Sequence, residues 1–132
     1  VLDATFVRPD LGAFCRLDEL GLEVIAQRLE PGRAVLACRP EPTEFDRWCR
    51  RCGAEGKPRD SVTRWLAHEP FGHRPTSLLL TISRFRCVSC RHVWRQDTSK
   101  AAEPRAKLSR RALAWALHAI VVQHLSVARI AE

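Results

Sequence analysis

The sequence predicts an α+β protein: an N-terminal helix and β-hairpin, a four-cysteine ribbon with a small antiparallel sheet, and a C-terminal helix leading into a truncated helix-turn-helix. Three observations predict it. Cys49, Cys52, Cys87 and Cys90 form two Cys-x-x-Cys pairs, C-R-R-C-G and C-V-S-C-R. Short runs of β-branched, leucine and aromatic residues are separated by Pro and Gly, as strands and their turns require. After Ser109, apolar residues recur at helical spacing.

The first unit spans residues 1–45. Asp10 can cap a short helix bearing Leu11, Phe14, Cys15 and Leu17, and Gly21 supplies a stop after Leu20. Residues 22–29 and 33–38 then read as two strands joined by the turn Glu30-Pro31-Gly32. Cys15 and Cys38 have no second cysteine or histidine at ligand spacing, so they read as small buried hydrophobes. A Cys15–Cys38 disulfide is the alternative, unusual in a reducing compartment. The polar, proline-spaced stretch from Arg39 to Asp46 leads onward as a connector.

The second unit, residues 46–97, is the ribbon. Two Cys-x-x-Cys turns deliver four thiolates to one point, which is the tetrahedral requirement of a structural Zn²⁺ ion. The 34 residues between the pairs must hold a hairpin. Residues 61–66 and 76–85 supply its strands, with Pro70, Gly72 and Pro75 as punctuation, and residues 92–95 can return as a third strand. Two disulfides are the competing reading, but a disulfide framework belongs to small secreted domains, and no signal peptide is seen. A redox Cys-x-x-Cys would sit singly at a helix start in a βαβ pattern, which is absent. Trp48, Trp65, Trp94 and Phe85 are expected beneath the sheet, and His68, His73 and His92 on its surface or in loops.

The third unit, residues 98–132, opens as a polar and then basic connector reaching Lys107. Ser109 is the expected N-cap of a helix reaching about Gln123. Leu113, Leu117, Ile120, Val121 and His124 share one face, and Trp115, Ala119 and Val122 form a second stripe. A helix apolar on two sides needs partners on two sides, which predicts a central position in a small helical cluster. Ser126 then caps a further helix in which Val127, Ile130 and Ala131 resemble the opening of a helix-turn-helix. The absence of methionine, at position 1 included, and that newly begun helix lead us to expect a segment of a longer chain.

Charge narrows the function. Residues 1–48 carry 6 Arg/Lys against 9 Asp/Glu, a balance of −3, while residues 49–132 carry 16 against 6, a balance of +10. This asymmetry favours a polyanionic partner, most simply double-stranded DNA. Arg50, Arg51, Arg84, Arg86, Arg91 and Arg95 surround the knuckles, and Arg105, Lys107, Arg110 and Arg111 crowd the start of the last helix. Phosphate contacts need only positive charge at suitable spacing. Solvated arginines whose stems cover the ribbon are the bland alternative. No apolar run reaches the roughly 20 residues of a membrane span; the stretch from Ala112 to Val122 is interrupted by His118. A cytoplasmic, nucleoid-associated protein without a small-molecule substrate is the expectation. No clustered carboxylates suggest a catalytic metal pair, since Asp97 and Glu103 lie in or beside a connector, so no catalysis is expected of this segment.

The order of features resembles bacterial insertion-sequence transposases of the IS-L-three type. The likeness is carried by C-R-R-C-G at 49–53, R-F-R-C-V-S-C-R-H-V-W-R-Q-D at 84–97, L-S-R-R at 108–111 and H-L-S-V-A-R-I-A-E at 124–132. The resemblance implies a zinc ribbon and helix-turn-helix that recognise the ends of a mobile element. It also implies that the chemistry belongs to an Asp-Asp-Glu site further along the parent protein. The alternative is a ribbon that serves protein interaction or homo-oligomerisation, with DNA recognition left to the helix-turn-helix.

Overall fold

The computed structural model describes residues 6–121. Asp10 caps the single-turn helix α1 (Leu11–Phe14), its Oδ1 accepting the Gly12 N–H at 3.0 Å and the Ala13 N–H at 3.4 Å. A 3₁₀ turn at Asp18–Leu20 follows, and Gly21 ends it in the left-handed region at φ 67°. Strands β1 (Leu22–Glu30) and β2 (Arg33–Pro40) then form the expected antiparallel hairpin. Its turn is closed by Arg33 donating to Glu30 at 2.9 Å.

Strands β3 (Gly56–Phe71) and β4 (Arg74–Cys87) form a hairpin much longer than the apolar runs alone predict. Gly72 and His73 both take positive φ, 58° and 64°, as the tight two-residue turn of a twisted hairpin demands. Beyond the apolar residues, cross-strand pairing carries polar stretches such as Gly56–Asp60 into the ladder. The short β5 (Val93–Arg95) pairs antiparallel with β4, close to its expected place.

The five strands make one sheet in the order β1-β2-β4-β3, with β5 on β4. The ribbon strands β3, β4 and β5 pair antiparallel as expected, but the N-terminal hairpin joins them, and the sheet as a whole is mixed. Ala34–Cys38 of β2 run parallel to Thr76–Leu80 of β4. In this register Leu36 and Cys38 share one core with Leu78, Leu80, Leu66 and Ile82. The N-terminal hairpin, the ribbon strands and the connector all contribute to that core, to which the connector adds Ala101 and Ala102.

Strand β4 serves two cores on opposite faces. Leu78, Leu80 and Ile82 point into the main core, whereas Phe85 and Cys87, of the other parity, join Cys49, Ala54 and Trp94 in a small core at the cysteine end. Register on β3 changes between Pro58 and Asp60, an inserted residue that lets β3 follow the exchange. Trp94 closes the small core. Its indole N–H donates to the Asp46 carbonyl at 2.9 Å, and its ring lies directly on Gly56, where any side chain would collide with it.

The connector is docked against the edge of β3. Ala67 donates to the Lys107 carbonyl at 2.8 Å and accepts from Ser109 N–H at 2.9 Å. The Arg64 guanidinium donates to the Glu103 and Ala106 carbonyls at 2.6 and 2.9 Å. Helix α2 (Arg110–Val121) then starts at the expected N-cap, Ser109, whose Oγ accepts the Ala112 N–H at 3.0 Å.

Four expectations are corrected. Helix α2 is peripheral: Ala112 and Ala119 are buried, while Leu113, Leu117, Ile120 and Val121 are exposed. The helix lies against β3, and the positions it buries carry alanine, a residue small enough for close packing. Trp48 and Trp65 are exposed rather than beneath the sheet, and the Trp65 ring is covered by Arg33 at 5.4 Å. His68 is buried, not on the surface. The sheet is mixed, as above. His124 and the start of the helix-turn-helix at Ser126 lie outside the described residues.

A candidate metal centre beside a basic sheet face

Each knuckle is built by its own backbone. In the first, Gly53 N–H donates to the Cys49 carbonyl at 2.9 Å and Arg51 N–H to the Cys49 sulfur at 3.4 Å. In the second, the N–H groups of Ser89 and Cys90 both reach the Cys87 sulfur at 3.4 Å. Both turns end in a left-handed residue, Gly53 at φ 77° and Arg91 at φ 65°. The first uses the residue type that takes this conformation without a Cβ penalty, and the second carries an arginine there. The hairpin brings the turns together, because Cys87 ends β4 directly opposite Gly56, which follows the first knuckle.

The four sulfurs lie within 4.8 Å of one another. Cys49 and Cys90 are 3.6 Å apart and Cys52 and Cys87 3.4 Å. Sulfurs at ~2.3 Å from a tetrahedral ion would be about 3.8 Å apart, so the cluster fits such an ion. A disulfide needs about 2.05 Å, and all six cysteines are free thiols. Cys15 and Cys38 are buried in the main core, as expected. Crowding splits the cluster's acidities. The Cys90 and Ser89 N–H groups bring Cys87 down to about 6 against the cost of burial. The Ala54 N–H favours the Cys52 thiolate, but neighbouring Cys87 and burial push its thiol up to about 11. A divalent cation bound there would take the place of the shared protons in compensating the thiolates.

The predicted basic residues fall into three settings. Arg84, Arg86 and Arg95 share one face of the β3-β4-β5 corner, opposite in parity to Phe85 and Cys87. Arg84 is clasped by Asp60, its Nε donating to Oδ1 at 2.6 Å, which holds that carboxyl below its usual range. Arg50 leans over the Phe45 ring at 5.1 Å, and Arg51 and Arg91 are exposed on the knuckles. At the last helix the picture differs. Arg110 binds Glu103 at 2.8 Å and the Ser99 carbonyl at 2.6 Å, and Arg111 lies 3.6 Å from Glu69 and 3.8 Å from Glu19. Arg105 and Lys107 remain exposed.

Sequence reasoning missed Lys57 and Arg59. They precede the apolar run 61–66 from which that strand is read, and only pairing with β4 brings them into it. Lys57 lies directly opposite Arg86. The signal was the K-P-R triplet between the first knuckle and the strand.

No protein-family model, curated protein or solved structure matches this chain.

Proposed function

We propose that this chain is the DNA-binding front region of an insertion-sequence transposase, with a Zn²⁺ ion on Cys49, Cys52, Cys87 and Cys90 as a structural element. The observation that carries the reading is the juxtaposition of a closed four-thiolate cluster with a sheet face on which Arg86 and Arg95 are exposed, Arg84 beside them being paired with Asp60. Four cysteine ligands would complete a tetrahedral shell and leave no position for a reacting water, so the ion's role is to hold the corner together. Thiolate-only ligation favours zinc over the hard cations that prefer oxygen. Exposed arginines beside it supply phosphate affinity, and base reading falls to the helix-turn-helix expected further along the chain. The order of knuckles, tryptophan strand and basic helix start supports the transposase assignment. Catalysis then belongs to another part of the parent protein.

A second reading is favoured by the exposed apolar face of α2, Leu113, Leu117 and Ile120: an interaction or dimerisation module without DNA specificity of its own. Binding to the element's terminal duplex and to a shuffled duplex, over a range of salt concentrations, separates the two. We expect binding to both, with log affinity falling by about 0.9 per neutralised phosphate against log salt. Absence of binding to either duplex would leave the interaction module.

A further inference from the structure

Lys57, Pro58, Arg59, Arg86, Cys87, Val88 and Arg91 line an open concavity of about 420 Å³ at the metal end of the sheet. Four of these residues are cations. Among the described residues, no carboxylate ion pair is formed by any of them, although Arg84 on the same sheet is neutralised by Asp60 and Arg110 by Glu103.

The backbone places like charges together here. Lys57 and Arg86 are directly opposed across the antiparallel ladder, so their side chains leave the same face at the shortest cross-strand separation. An opposed pair of this kind destabilises a sheet unless an anion lies between the two heads. The register shift between Pro58 and Asp60 inserts Arg59 into the strand, and a bulge of this sort re-aims a side chain out of the ladder's alternation. Arg91 closes the rim from the second knuckle, at a left-handed position where glycine is the easier choice. A like-charge pair, a re-aimed arginine and an arginine at a left-handed position therefore converge on one hollow with a uniform charge.

We propose that this concavity is a seat for a backbone phosphate of duplex nucleic acid, with Lys57 and Arg86 as paired charges and Arg59 and Arg91 closing on the same group from its sides. The inference rests on the DNA-binding reading and adds the seat itself, with Lys57 and Arg59 as contact residues. The Cys87 turn forms the floor. Metal binding and phosphate binding are thus coupled through the geometry of one knuckle, since an ordered Cys87–Cys90 turn is what holds Arg91 beside β4.

The test compares the full chain with Lys57→Ala/Arg59→Ala, measuring duplex affinity between low and moderate salt together with thermal stability. A second double variant, Arg28→Ala/Arg74→Ala, removes the same charge from the N-terminal hairpin and the far end of β4. For the seat variant we expect a roughly tenfold weaker affinity, a salt slope shallower by about 1, and a melting temperature equal to or above that of the unmodified chain. An unchanged slope and affinity, with the parent binding DNA, would overturn the seat and leave the DNA reading standing. Equal losses in both double variants would also overturn it, because net charge would then account for the effect. Failure of the parent to bind any duplex would overturn both.

Discussion

His68 shows how much one side chain can join. Its Nδ1 lies 2.7 Å from Ser109 Oγ, and its Nε2 lies 2.9 Å from the Cys15 carbonyl. Ser109 Oγ already accepts the Ala112 N–H, so its hydroxyl proton is free to go to Nδ1, and Nε2 then carries the proton donated to Cys15. The neutral tautomer satisfies every partner and ties α1, β3 and the cap of α2 at one point. Burial lowers the His68 pKa below 6.5, outweighing the Cys15 carbonyl and nearby Glu69, which raise it. Well above 6.5 both states are neutral. As pH falls below 6.5 the unfolded chain takes up the proton first, so this contribution is lost toward the depressed folded pKa. The acid loss of stability should be shallower in His68→Gln than in the parent, measured by denaturant unfolding from pH 7.5 to 5. Identical slopes would show that His68 does not titrate differently on folding. The pattern H-E-P at 68–70 gave no sign of this role, because both partners of His68 are distant in sequence.

At the scale of elements, periodicity located α2 and its Ser109 cap but not the face that it buries. The amphipathic pattern has two apolar stripes, and only packing decides between them. The helix lies against β3, and the side it buries carries Ala112 and Ala119, small residues that suit a close approach. Leu117, 54% exposed, remains on the outer face. Leu117→Glu should therefore change stability by no more than about 0.5 kcal/mol. Ala119→Leu should destabilise by about 1–3 kcal/mol through overpacking. Thermal or urea unfolding of the two variants checks the order, and the reverse ranking would mean that the outer stripe is the packed one. The hairpins were legible for a local reason: Pro31-Gly32 and Gly72 mark turns wherever the flanking residues alternate. The full lengths of β3 and β4 were not. Polar residues at Gly56–Asp60 become strand only because β4 offers them a ladder.

For the whole molecule, the two cores differ in what sustains them. The main core gathers leucines from both hairpins together with the connector alanines, and it can persist by burial. The core at the cysteine end has Trp94, Cys49 and Cys87, with Phe85 and Ala54 at its margin, too little apolar surface to hold two turns in register. In the proposed reading, thiolate coordination of the ion supplies the difference; structural zinc sites contribute an apparent binding energy on the order of 10–16 kcal/mol. Chelation should release Trp94 from its packing, with loss of its near-ultraviolet signal, while the far-ultraviolet β signature of the larger sheet survives. A Trp94 signal unchanged after complete metal removal would contradict a structural ion.

The sequence by itself determined the four-cysteine cluster, the two hairpin turns, the caps at Asp10 and Ser109 and the concentration of positive charge beyond Cys49. These are properties of short stretches, set by backbone preference, ligand spacing and composition. Tertiary structure decided the parallel pairing of β2 with β4, the exchange of buried faces along β4, the burial of His68, and which arginines stay free of carboxylates. Those outcomes depend on which residues meet across large sequence separations: Leu36 must share a core with Leu78, and Lys57 faces Arg86 only after both hairpin arms have closed.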